Sequence, residues 1–97
     1  MSGSTVVVRN VNHPQKRTIL DRAHYEAMRI AMLKVIPKRP PGLTPEKVHK
    51  AVLPLLPQAV FPDGAGAWWW VKCVQLDLEA RRIVGRSATR PLRLTRV

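Results

Sequence analysis

Apolar side chains recur along this chain at helical spacing in three places, and proline, glycine or a capping residue separates each from the next. Tyr25, Met28, Met32, Val35 and Ile36 fall at steps of three and four, one stripe along a helix. Asp21 stands where it can cap the first turn, Leu20 and Tyr25 sit at the spacing of a hydrophobic staple, and Pro37 stops the pattern. This predicts a first helix over 21–36. The next stretch, PKRPPG, holds three prolines that lack an amide and restrict their neighbours, so it reads as a stiff basic connector containing Lys38 and Arg39. Thr44 then caps a second helix with Pro45 at its first position, and Leu43 with Val48 repeats the staple. Its buried stripe is expected to be Val48, Ala51, Val52 and Leu55, with Pro54 shortening the last turn.

Residues 58–66 read as a loop with Val60 and Phe61 tucked inward, and helical spacing returns over 67–81 with all three tryptophans. Val71, Val74 and Leu78, with Trp70 beside them, suffice to seat this third helix. Trp69, Cys73, Leu76 and Ala80 form a second stripe on another face. After it the pattern turns β-like over 82–86 and 90–95 around a small polar tip, Ser87-Ala88-Thr89, a hairpin at the C-terminal end. The first twenty residues open with a flexible Ser/Gly start, then a β-prone run from Thr5 to Val8 and the turn chemistry of Asn10 to Pro14, an arm of one strand and a loop. The expectation is a single α+β domain over 21–97 preceded by a short N-terminal arm over 1–20.

Charge changes this picture. The chain has 97 residues, with 17 Lys and Arg against 6 acids and a net charge of +11, a balance that suits a polyanionic partner. Residues 1–50 carry +7, residues 51–80 carry −2, and residues 81–97 carry +6 with no acid. One cysteine excludes an internal disulfide framework, and three scattered histidines give no zinc spacing. No apolar run reaches the roughly 20 residues of a membrane span, and the start lacks the order of a secretion signal. A soluble protein of the reducing cytoplasm is expected, with no cofactor.

Three helices, the third passing without a linker into a two-stranded hairpin, stand in the order of a winged helix-turn-helix. The stretch Leu78-Glu79-Ala80-Arg81-Arg82-Ile83-Val84-Gly85-Arg86 resembles the end of the recognition helix and first wing strand of such domains. That resemblance covers about residues 21–97 and implies a DNA-binding-like fold, on which protein-interaction modules are also built. The turn after the recognition helix often has glycine, and here Arg82 takes the place: either the turn differs or some strain is accepted. The chain as a whole, through Pro37 to Thr44, Leu56-Pro57, Phe61 to Gly64 and Trp69 to Ala80, is also similar to a family of small uncharacterised bacterial proteins with no assigned function, which implies a fold and no activity.

For a duplex DNA partner, the expected contacts are phosphate contacts from Arg86, Arg90 and Arg93 on the wing and from Lys47 and Lys50 on the second helix. Lys72 and Gln75 are the candidates for the major groove. Base readout by the third helix is poorly supplied, because these residues lie between two apolar edges and beside Asp77 and Glu79. Three readings of the stripe Trp69, Cys73 and Leu76 stand open: cover by the N-terminal arm through Val6 to Val8 and Val11, a homodimer or partner seam, or, with Trp68, a stacking platform for unpaired bases or RNA. No enzyme is expected. Cys73, His13, His24, His49, Glu26 and Glu46 stand alone, without an orienting partner or a glycine-rich phosphate loop.

Overall fold

A computed structural model describes residues 4–97; the expected Ser/Gly start at 1–3 lies outside the described residues. Seven elements follow in order: β1 (Thr5–Val8), β2 (Thr18–Asp21), α1 (Arg22–Val35), α2 (Pro45–Val52), α3 (Ala67–Ala80), β3 (Val84–Arg86) and β4 (Leu94–Arg96). Short 3-10 turns at Leu53–Leu55 and Pro62–Gly64 join α2 to α3. The architecture is α+β: three helices and two small two-stranded antiparallel sheets.

The helices start where the capping residues place them. The Asp21 carboxylate accepts the His24 N–H at 3.0 Å, and the Thr44 hydroxyl accepts the Lys47 N–H at 3.3 Å with Pro45 at the first helical position. α1 buries Tyr25, Met28, Ala31 and Met32; α2 buries Val48 and Val52; α3 buries Ala67, Val71, Val74 and Leu78. Phe61 closes this core from the loop, and Val8, Val84 and Leu94 close it from the strands. Leu55 departs from expectation. Pro54 ends α2 early, so the stripe breaks and Leu55 stays exposed.

The N-terminal arm is a β-hairpin rather than one strand and a loop. Val6 pairs with Leu20 and Val7 with Ile19; the first pair turns toward the core, while Val7 and Ile19 face outward. At the other end, β3 and β4 pair through Gly85 and Thr95, and the connection between them, residues 87–93, is longer than the three-residue tip expected. Ser87 organises it by donating its N–H to the Arg93 carbonyl and accepting the Arg93 N–H on its hydroxyl.

The turn after α3 settles the question posed by Arg82. The Ile83 N–H reaches the Leu78 carbonyl at 2.9 Å and the Arg82 N–H the Glu79 carbonyl at 3.1 Å, the two bonds of a Schellman motif. Arg82 occupies the left-handed position with φ 62°, where glycine would be free of the side-chain penalty. The turn is the usual one, and the strain is accepted.

Candidate nucleic-acid interface

α3 is the organising element, because its four faces meet four different surroundings. Its core face buries Ala67, Val71, Val74 and Leu78. On one flank, Asp77 is completely buried and gathers three segments: its carboxylate accepts the Arg9 N–H at 2.8 Å, the Arg81 Nε–H at 2.9 Å and the Tyr25 hydroxyl. Burial first, and then the hydrogen bond to Asp77, push the Tyr25 phenol up to about 12. The N-terminal hairpin is thereby tied to α1 and α3 at one carboxylate.

The opposite flank carries Trp68, Lys72, Gln75 and Glu79, at helical steps of four, three and four. Trp68 meets the edge of His49 on α2, with centroids 5.2 Å apart, and the Lys72 Nζ stands 5.5 Å from its ring. Gln75 is only 5 % exposed and donates from Nε2 to Glu79 Oε2 at 3.0 Å. Glu79, also buried, accepts two bonds from the Arg86 guanidinium, whose Nη2 lies 2.9 Å from Oε2. That bonding raises the Arg86 pKa above its ordinary value. The flank is thus a line from α2 through α3 to β3.

This arrangement bears on two of the expected contacts. Gln75 is withdrawn from the surface and engaged with Glu79, so it does not offer its amide to a base edge. Arg86 spends its fork on Glu79, which makes its first role structural. Arg93 is half-buried and leans on the Gly42 carbonyl at 3.4 Å. Lys47, Lys50, Lys72 and Arg90 are exposed. Among the described residues, Arg81 and Arg86 are the Lys and Arg side chains in ion pairs, and 17 such side chains exist.

The outer face of α3 carries the second stripe. The N-terminal hairpin runs beside it: the Val11 N–H meets the Leu76 carbonyl at 3.3 Å, and Val8, Leu20, Trp69, Cys73 and Leu76 line an apolar groove of about 210 Å³ with Arg9 and Lys16 at its rim. Cover is partial, for Trp69 remains 53 % exposed while Cys73 and Leu76 are half-buried. Burial pushes the Cys73 thiol up, away from the thiolate. Trp70 is half-buried against the core, stacked on His24 and edge-on to Phe61.

Sequence reasoning missed Asp77 and Glu79, which it set aside as unhelpful to phosphates. The signal that finds them is charge spacing: Asp77 precedes Arg81 by four residues, and Glu79 precedes Arg86 across the turn.

The fold and its surface define a small, strongly basic α+β protein whose buried acids are used within the fold and whose lysines largely face outward. The chain belongs to a family of unknown function, DUF6958, whose model matches residues 5–94. No curated protein and no solved structure matches it, so the winged-helix resemblance has only the order of elements behind it. Among the described residues, no helix is long and apolar enough to cross a membrane.

Proposed function

We propose that this protein binds double-stranded DNA as a winged-helix module, through phosphate contacts rather than base readout. The observation that carries the reading is the fate of the charges: buried Asp77 and Glu79 are taken by Arg81 and Arg86, while Lys47, Lys50, Lys72 and Arg90 are exposed and, among the described residues, in no ion pair. A second observation supports the fold. Leu43, between α1 and α2, bridges to Leu94 beside β3, so the chain runs helix, strand contact, helix, helix, hairpin. The contacts are Lys47 and Lys50 on α2, Lys72 on α3, Arg90 at the hairpin tip and Arg93 at its base. The outer face of α3 is apolar and flanked by the N-terminal hairpin, which speaks against insertion of that face into the major groove.

The test is fluorescence anisotropy on random-sequence duplex DNA at low and near-physiological salt. These five phosphate contacts contribute about −4 to −5 to the slope of log affinity against log salt, whereas absence of binding at low salt would sink the reading. The partly covered groove at Trp69, Cys73 and Leu76 favours a second reading, a protein-docking or homodimer surface. Light scattering separates the two, since a monomer with unchanged DNA binding after Trp69→Ala leaves the groove no such role.

A further inference from the structure

A second group of basic residues lies where the N-terminal hairpin loop meets the end of α3. Arg9 and Arg17, from the loop between β1 and β2, and Arg82, from the turn after α3, line one concavity of about 280 Å³ together with Asn10. All three arginines are exposed. The fold engages the backbone amides of Arg9 and Arg82 and a single guanidinium nitrogen of Arg17, which donates to the Pro14 and Lys16 carbonyls at 2.7 and 3.2 Å. Among the described residues, the remaining guanidinium donors have no carboxylate partner. Glu79 also lines this concavity, but Arg86 neutralises it and holds both of its oxygens.

The strained residue carries the inference. Glycine would build the same Schellman turn without a Cβ penalty, yet the position holds an exposed arginine at φ 62°, and this residue lines the concavity. Backbone strain at a position where glycine fits more easily motivates a role for the side chain. The carbonyl end of α3 disfavours an anion, but the carbonyls of Asp77, Leu78 and Glu79 are taken by the amides of Arg81, Ile83 and Arg82, and three guanidinium charges outweigh the residual dipole.

We propose that Arg9, Arg17 and Arg82 form a phosphate-binding site between the N-terminal hairpin loop and the end of α3. Forked, permanently charged donors suit the tetrahedral oxygens of a phosphate group. As a contact to a nucleic-acid backbone the site rests on the duplex reading; as an anion site it stands on its own geometry. Phosphate from either a nucleic acid or a free anion fits this chemistry, and the experiment separates the sources.

Arg82→Gly is the decisive variant, because glycine is favoured at this backbone and the fold is not at risk. Two readouts are taken on the full chain: duplex anisotropy, and melting temperature in inorganic pyrophosphate against chloride at matched ionic strength. The expected result is a several-fold loss of duplex affinity, with the salt slope smaller by about 1, and loss of the pyrophosphate-induced rise in melting temperature. Arg9→Ala with Arg17→Ala, which keeps the Arg9 amide on Asp77, should act in the same direction. Loss of the pyrophosphate shift alone assigns the site to free phosphate. Wild-type behaviour of Arg82→Gly in both readouts overturns the site, whereas a wild-type protein that ignores DNA but answers to pyrophosphate removes only the duplex reading.

Discussion

Leu43 and Leu94 exchange both of their backbone hydrogen bonds, at 3.1 and 2.7 Å, and so join the connector between α1 and α2 to the C-terminal hairpin. Gly42 makes this approach feasible. With φ 78° it sits so close to β4 that a Cβ would collide with the Leu94 carbonyl oxygen and stand 2.9 Å from the Thr95 methyl. Arg96 continues the seam, its N–H on the Pro37 carbonyl and its Nε–H on the Ile36 carbonyl. Gly42→Ala is therefore expected to destabilise the fold by about 2 kcal/mol or more, through left-handed strain plus the backbone clash. Urea denaturation checks it; a loss below about 0.5 kcal/mol would mean that the seam is slack.

The Schellman turn gives an opposite expectation. Replacing Arg82 by glycine removes a side-chain penalty of about 1–2 kcal/mol and returns some of it as unfolded-chain entropy. A net gain of about 0.5–1 kcal/mol is expected, a rise of several degrees in melting temperature for a domain of this size. A drop in melting temperature would show that the Arg82 side chain contributes packing that outweighs the strain.

Tyr25 provides a pH signature. Its phenol is raised from 10.0 to about 12, so the folded state holds the proton more tightly than the unfolded chain. The stability it contributes is present in full below pH 10 and is lost as pH rises toward 12, by about 2 kcal/mol in all. Because the chain has a single tyrosine, ultraviolet difference absorbance follows this titration directly. Tyr25→Phe should lower stability at neutral pH by about 1–3 kcal/mol, since Asp77 loses a buried donor, and should flatten the fall between pH 10 and 12. An ordinary phenol titration near pH 10 in the folded protein would contradict the buried Tyr25–Asp77 contact.

How much of this was legible in the sequence differs by element. The starts of α1 and α2 were readable from Asp21, Thr44 and Pro45, because capping is local chemistry. β2 was hidden: Ile19 and Leu20 run straight into the capping Asp21, and their pairing with Val6 and Val7 spans a loop that local pattern does not report. The buried acids were hidden for a related reason. Periodicity treats Asp77 as solvent-facing, and its partner Tyr25 lies 52 residues away. The apolar outer stripe of α3 was readable as an oddity, while its partial cover by the hairpin needed the tertiary contact of Val11 with Leu76. For the basic residues, sequence supplied the inventory and the fold divided it: Arg81 and Arg86 serve internal acids, and Lys47, Lys50, Lys72 and Arg90 do not.

That division sets apart two arginines of the same hairpin region, Arg86 at the end of β3 and Arg90 in the connection to β4. Arg86 holds a carboxylate whose side chain is 4 % exposed, so Arg86→Ala leaves Glu79 buried with Gln75 alone as donor. Removing one partner of such a pair is expensive, though the 36 % exposure of the Arg86 side chain admits water and moderates the cost to about 1–3 kcal/mol. Arg90, exposed at the tip, has no such duty, and Arg90→Glu should change stability by less than about 0.5 kcal/mol while weakening duplex binding and lowering the salt slope. Denaturation and anisotropy on both variants separate a stability role from a binding role. Equal destabilisation would refute the division of labour, and equal affinity of Arg90→Glu and wild type would remove the hairpin tip from the DNA contact.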